Sequence, residues 1–149
     1  MCSYCGCENI EVVGRFMAEH VEIINASDLL RRACEAGDAA LVAGTATHLS
    51  RLMRPHTTAE EVGIFTVLAE DEEFTAHVRS LCEEHIDLDE RLEAIATGDH
   101  GSFAAFDRAL RVHIDREENG LFPAAAIAFA GVEWQRVADL TPDAVLEGA

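Results

Sequence analysis

Basic residues are scarce in this 149-residue chain, 11 against 28 acidic ones, and the formal charge of −17 turns it away from nucleic acid and from anionic membrane surfaces. Apolar residues make up 49% of the sequence, yet none run unbroken for the eighteen or so positions that a membrane span requires. The five cysteines are an odd number, and the opening Met1-Cys-Ser-Tyr-Cys-Gly-Cys7 has neither the basic nor the apolar region of a secretory leader. No disulfide framework follows, and the expected location is the reducing cytoplasm. Convincing strand alternation is absent apart from the brief run Ile10 to Val13, and no motif for an organic cofactor is present.

What is abundant is helical periodicity. Val13, Phe16, Met17, Val21, Ile24, Leu29 and Leu30 recur at helical spacing and stop at Gly37-Asp38, a C-cap followed by an N-cap. A second helical segment begins near Asp38 and reaches about Leu68, with Pro55 expected to kink or restart it. A third opens on Asp71-Glu72-Glu73 and ends before Gly98, and a fourth runs from about Phe103 to Leu121. A short extra helix is expected over Val132 to Leu140. The fold class is therefore all-α, an antiparallel four-helix bundle over 10–140, with a cysteine-rich arm at 1–9 and a tail at 141–149.

The chemistry lies in a duplication. His113-Ile-Asp-Arg-Glu-Glu-Asn-Gly-Leu-Phe122 matches His56-Thr-Thr-Ala-Glu-Glu-Val-Gly-Ile-Phe65 at the His, both Glu, the Gly and the Phe, all at the one offset that carries His56 onto His113. Met17-Ala-Glu-His-Val-Glu-Ile23 matches Cys82-Glu-Glu-His-Ile-Asp-Leu88 in the same way, at the offset that carries His20 onto His85. Each half thus carries a helix with one histidine and then a helix with His-x-x-x-Glu. In a helix, residues four apart differ by about 40° around the axis and about 6 Å along it, so both can reach one ion; a five-residue step turns about 140° away. That spacing selects Glu60 and Glu117 over Glu61 and Glu118, which are expected to face solvent or to hydrogen-bond to the ligands. A pseudo-twofold pairing gathers His20, His56, Glu60, His85, His113 and Glu117 into a two-metal site. Imidazole with carboxylate suits iron, manganese or zinc, and open positions beside a redox metal favour iron.

Other candidates carry less. His48 and His77 lie eight residues from a ligand, about 12 Å along a helix, out of reach of the same ion. His100 is expected to cap helix four, and Asp89 either to orient His85 or to be an exposed acid. Cys34 and Cys82 fall on apolar stripes, and Phe65, Phe74, Phe106 and Phe122 are expected to fill the core and wall the pocket. Cys2, Cys5 and Cys7 admit a thiol relay, a partial metal site or a reduced arm.

The paired motif over Gly14 to Ala130 resembles the hemerythrin-like family of non-haem di-iron proteins, in its HHE cation-binding form. The resemblance implies two iron ions, oxo- or hydroxo-bridged, with Glu60 and Glu117 bridging. Oxygen-carrying members have a second histidine on the third helix, four residues from the first, where this chain has Leu81 and Asp89 flanking His85. They also use a five-residue His-to-Asp step in the fourth helix. The expected activity is turnover of a small oxidant, hydrogen peroxide or nitric oxide, with electrons from an external donor. Oxygen carriage, storage or sensing is the alternative, and plain iron storage a weaker third.

Overall fold

A computed structural model describes residues 10–144; the arm carrying Cys2, Cys5 and Cys7 and the end of the tail lie outside the described residues. Every regular element among the described residues is helical. Helix α1 spans Glu11–Ala36 and stops at Gly37, whose left-handed φ of 67° lets its N–H reach the Ala33 and Cys34 carbonyls. Asp38 then caps α2 (Ala39–Glu60) by accepting from the Leu41 N–H at 3.1 Å. A π-turn, Glu61–Phe65, leads into the short α3 (Thr66–Ala69). Asp71 caps α4 (Glu72–Ala96) through the Glu73 N–H. After a 3₁₀ turn, His100–Ser102, α5 (Phe103–Arg116) runs into a second π-turn, Glu117–Leu121. Helices α6 (Phe122–Ala128) and α7 (Gly131–Leu140) complete the described chain.

Helix α1 packs on α2 and α5, and α4 packs on the same two helices, so the four long helices close a ring. Their buried residues form two apolar clusters. One holds Val13, Phe16 and Met17 of α1, Ala59 of α2, Leu81 of α4 and Leu121. The other holds Ile23 and Leu30 of α1, Leu49 and Met53 of α2, Leu88 of α4 and Leu110 of α5. Between them lies a layer of buried polar side chains, His20, His56, Glu60, His85, His113 and Glu117. Helix α7 packs over the first π-turn.

Some expectations need correction. Helix α2 continues through Pro55 without restarting there, and the change of helix type falls at Glu61–Phe65. Ile10 to Val13 enters α1 rather than a strand. Val21 and Leu29 of the expected first-helix stripe are exposed. In α1 the buried ladder Phe16, His20, Ile23, Ser27 and Leu30 already fills the inward face, and a residue one step from an inward one, as Val21 is from His20 and Leu29 from Leu30, points about 100° away. No side chain caps α5; Ser102 donates to Asp99 at 2.5 Å, and His100 stays in the 3₁₀ turn.

Candidate metal centre

Six donor residues from four helical stretches meet in the layer between the two clusters. The atoms form two overlapping groups, His20, His56, Glu60 and Glu117, and Glu60, His85, His113 and Glu117, with ligand atoms in each within 4.8 Å of one another. Both glutamates belong to both groups. Glu60 faces the Nε2 atoms of His56 at 3.4 Å, His85 at 3.2 Å and His20 at 3.9 Å. Glu117 faces those of His20 at 3.0 Å, His113 at 3.3 Å and His85 at 3.7 Å. Glu60 and Glu117 are completely buried.

Behind each imidazole sits a further carboxylate. The Nδ1 of His20 meets Glu118 at 2.7 Å, that of His56 meets Glu19 at 2.8 Å, that of His85 meets Glu61 at 3.2 Å and that of His113 meets Glu84 at 2.8 Å. A carboxylate accepts, so each Nδ1 carries the proton and each neutral ring turns the lone pair of Nε2 inward. Four lone pairs and two carboxylates therefore converge where no water reaches. The Nε2 atoms of His56, His85 and His113, both oxygens of Glu60 and Oε2 of Glu117 are buried without a well-formed hydrogen bond. Such a cluster costs several kcal/mol unless positive charge fills it. The donors fit a cation, and outer carboxylates that fix the tautomer are the usual companions of metal-bound histidine.

Without metal, protons supply the charge. Burial alone would push the His20 imidazole down, but Glu117 and Glu118 outweigh it and carry it up to about 9. Burial is likewise overcome at His56 by Glu60 and Glu19, and at His85 by Glu117 and Glu60, both rings rising to about 10. Burial would raise the carboxyl of Glu117, yet His113, His20 and His85 hold it well below the usual carboxylate range.

The π-turns shape the walls. They start immediately after Glu60 and at Glu117, and such turns are frequent at functional sites. A π-turn closes its hydrogen bond across five residues, which returns the fifth residue to nearly the same face. Phe65 and Phe122, five residues beyond Glu60 and Glu117, accordingly stack on His85 (5.4 Å between centroids, 12°) and on His20 (6.2 Å, 14°). Phe16 meets the edge of His56 at 5.5 Å. A narrow cavity of about 10 Å³ touches His20, His56 and His113 and is walled by Met53, Leu88 and Leu110.

All six residues expected as ligands are thus brought together, with Glu61 and Glu118 hydrogen-bonded behind the histidines. Asp89 instead pairs with Arg54 at 3.3 Å on the surface. Phe106 belongs to the cluster away from the π-turns and Phe74 is half-buried. Cys34 and Cys82 pack at the margins of the core as half-buried thiols. His77 lies half-buried near Gly120, beyond the six-residue cluster. Glu19 and Glu84 were not singled out by spacing; the signal for them was present, since they occupy equivalent positions of the duplicated stretch, immediately before His20 and His85, although they bond His56 and His113.

Comparison with known proteins adds one finding. Residues 11–125 match the family model described as the hemerythrin HHE cation binding domain. No curated protein and no solved structure matches the chain.

Proposed function

The chain belongs to the hemerythrin family of HHE cation-binding domains, and on that premise we propose that it holds two iron ions and binds and turns over a small oxidant, hydrogen peroxide or nitric oxide. The observation that carries the metal reading is the pair of donor groups sharing both buried glutamates. Glu60 and Glu117, common to both groups, would be shared by the two ions, with His20 and His56 holding one and His85 and His113 the other. The ring of helices is read as an antiparallel four-helix bundle. Along α1 and α4 the chain passes from the first cluster through the polar layer to the second, and along α2 and α5 it passes back.

Iron bound there supplies two adjacent one-electron centres. With both glutamates shared, each ion would have two imidazole and two carboxylate donors from the protein, and histidine–carboxylate sets on iron keep further positions open. The chain's own residues set the limits. The carboxylates of Glu118, Glu19, Glu61 and Glu84 keep each Nδ1 protonated and each Nε2 available. Phe16, Phe65 and Phe122 exclude water from the rings. The adjoining cavity has the volume of about one water molecule, which restricts any ligand to a few atoms.

Steady-state assays of iron-loaded protein with hydrogen peroxide or nitric oxide and a chemical reductant test this reading. Sustained consumption of either is the expected result. A stable, reversible oxygen adduct without consumption would replace it with oxygen carriage, and protein that takes up zinc but no iron would remove both.

A further inference from the structure

We propose that Arg15 and Arg116 are positioning residues for the metal centre, each clamping the carboxylate that orients one ligand histidine. The inference rests on the metal reading above and extends it one layer outward. Arg15 Nε donates to Glu19 Oε2 at 3.1 Å, and the other oxygen of Glu19 takes the Nδ1 proton of His56 at 2.8 Å. Arg116 Nη1 pairs with Glu84 Oε2, and the other oxygen of Glu84 takes the Nδ1 proton of His113 at 2.8 Å. Two relays of identical chemistry, guanidinium to carboxylate to imidazole, end on the two histidines of the His-x-x-x-Glu motifs.

The two arginines are not related by the duplication. The offset that carries His20 onto His85 carries Arg15 onto Ser80, and the offset that carries His113 back onto His56 carries Arg116 onto Ala59. One half supplies the cation from the helix of its single histidine, the other from the helix of its His-x-x-x-Glu motif. The same carboxylate is reached from different positions, so the cation is not a leftover of the repeat. Its placement is the common feature.

The surrounding contacts separate these pairs from ordinary surface ion pairs. The side chains of Arg15 and Arg116 are 23% and 32% exposed, against 58% for Arg111 paired with Asp107 and 67% for Arg54 paired with Asp89. Arg15 is also fixed on two other sides. Its Nη1 donates to the Pro142 carbonyl at 2.7 Å, and its guanidinium lies 5.4 Å from the centre of the Phe16 ring that borders His56. Arg116 Nη1 additionally donates to Ser80 Oγ at 3.2 Å, tying α5 to α4 beside Glu84.

Long-range proton–nitrogen NMR on the zinc-loaded full chain, zinc serving as a diamagnetic probe, reads the Nδ1–H of each ligand histidine. Arg15→Ala is expected to displace the His56 signal alone, and Arg116→Ala the His113 signal alone. Arg15→Lys and Arg116→Lys should restore them in part. Zinc release to a chelator should be about tenfold faster in the alanine variants, the lower end of the effect of outer partners on metal affinity. If alanine prevents folding, Arg15→Gln and Arg116→Gln keep the stem and remove the charge, and the same signals decide. Variants whose four signals match a loaded wild type, or shift all together, overturn the proposal. A wild type that takes up no zinc removes the metal reading itself, and the arginine proposal with it.

Discussion

Each histidine of the cluster faces Glu60, Glu117 or both through Nε2 and a further glutamate through Nδ1, and the two kinds of glutamate should fail differently. Glu117→Ala removes a donor shared by both groups, so metal uptake should be lost from both positions. Glu118→Gln leaves an acceptor near His20 Nδ1 but no charge; metal should still bind, about 10 to 100 times more weakly in a chelator competition. Acidity gives a second test at this scale. The metal-free pKa values of His20, about 9, and of His56 and His85, about 10, lie above the ordinary 6.5. The stability from these protonated rings is fully present below about pH 6.5 and is lost as pH rises through 9 to 10. Glu117 has the opposite sign: its contribution is present above its ordinary value of 4.5 and disappears as pH falls through its lowered one. Melting of metal-free protein should therefore drop to lower temperature between pH 6.5 and 10, while metal affinity rises over the same range because each ion displaces protons. The six clustered residues were legible in the sequence because the four-residue step and the repeat both constrain them. Arg15 and Arg116 were not, because they break the repeat.

At the scale of elements, the π-turns distinguish the two halves. A methyl group added at Gly63 would collide with the Thr141 hydroxyl group at the end of α7, whereas at Gly120 the nearest atom, His77 Nε2, is 3.9 Å away. Gly63→Ala should destabilise by about 1–3 kcal/mol, as overpacking does, and Gly120→Ala should be neutral or stabilising by up to about 1 kcal/mol. Denaturant titration of both variants checks the contrast. Thr141→Ala should relieve much of the Gly63→Ala loss, since the hydroxyl oxygen is the atom struck. The long helices were readable from their stripes and caps: α1, α4 and α7 begin or end within a residue or two of Gly37, Asp71 and Val132. The π-turns were not readable. Proline is the sequence's obvious breaker, yet α2 passes through Pro55, while the widened turns, Glu61–Phe65 and Glu117–Leu121, contain no proline and share only glutamate, a glycine and an aliphatic residue. The clue was the repeated Phe five residues beyond Glu60 and Glu117, which regular α-helix would have turned away from the site.

For the whole molecule, the arrangement is two apolar clusters separated by a charged layer, within a chain of formal charge −17. Folding brings the layer's carboxylates and imidazoles together, so ions that bind only the folded chain stabilise it by mass action. Stripping the metal with a chelator should lower the melting temperature, and re-adding it should restore the loss, more strongly at pH 8 than at pH 6. The all-helical class followed from periodicity and from the scarcity of strand alternation, and the described residues contain no helix long and apolar enough to cross a membrane. The proposed centre holds two iron ions that share Glu60 and Glu117. Elemental analysis of protein loaded with ferrous iron, desalted and read together with its near-ultraviolet spectrum after exposure to air, addresses it most directly. Two irons per chain, with charge-transfer bands that disappear in His113→Ala, are predicted; one iron or none per chain, or bands unchanged in that variant, would contradict it.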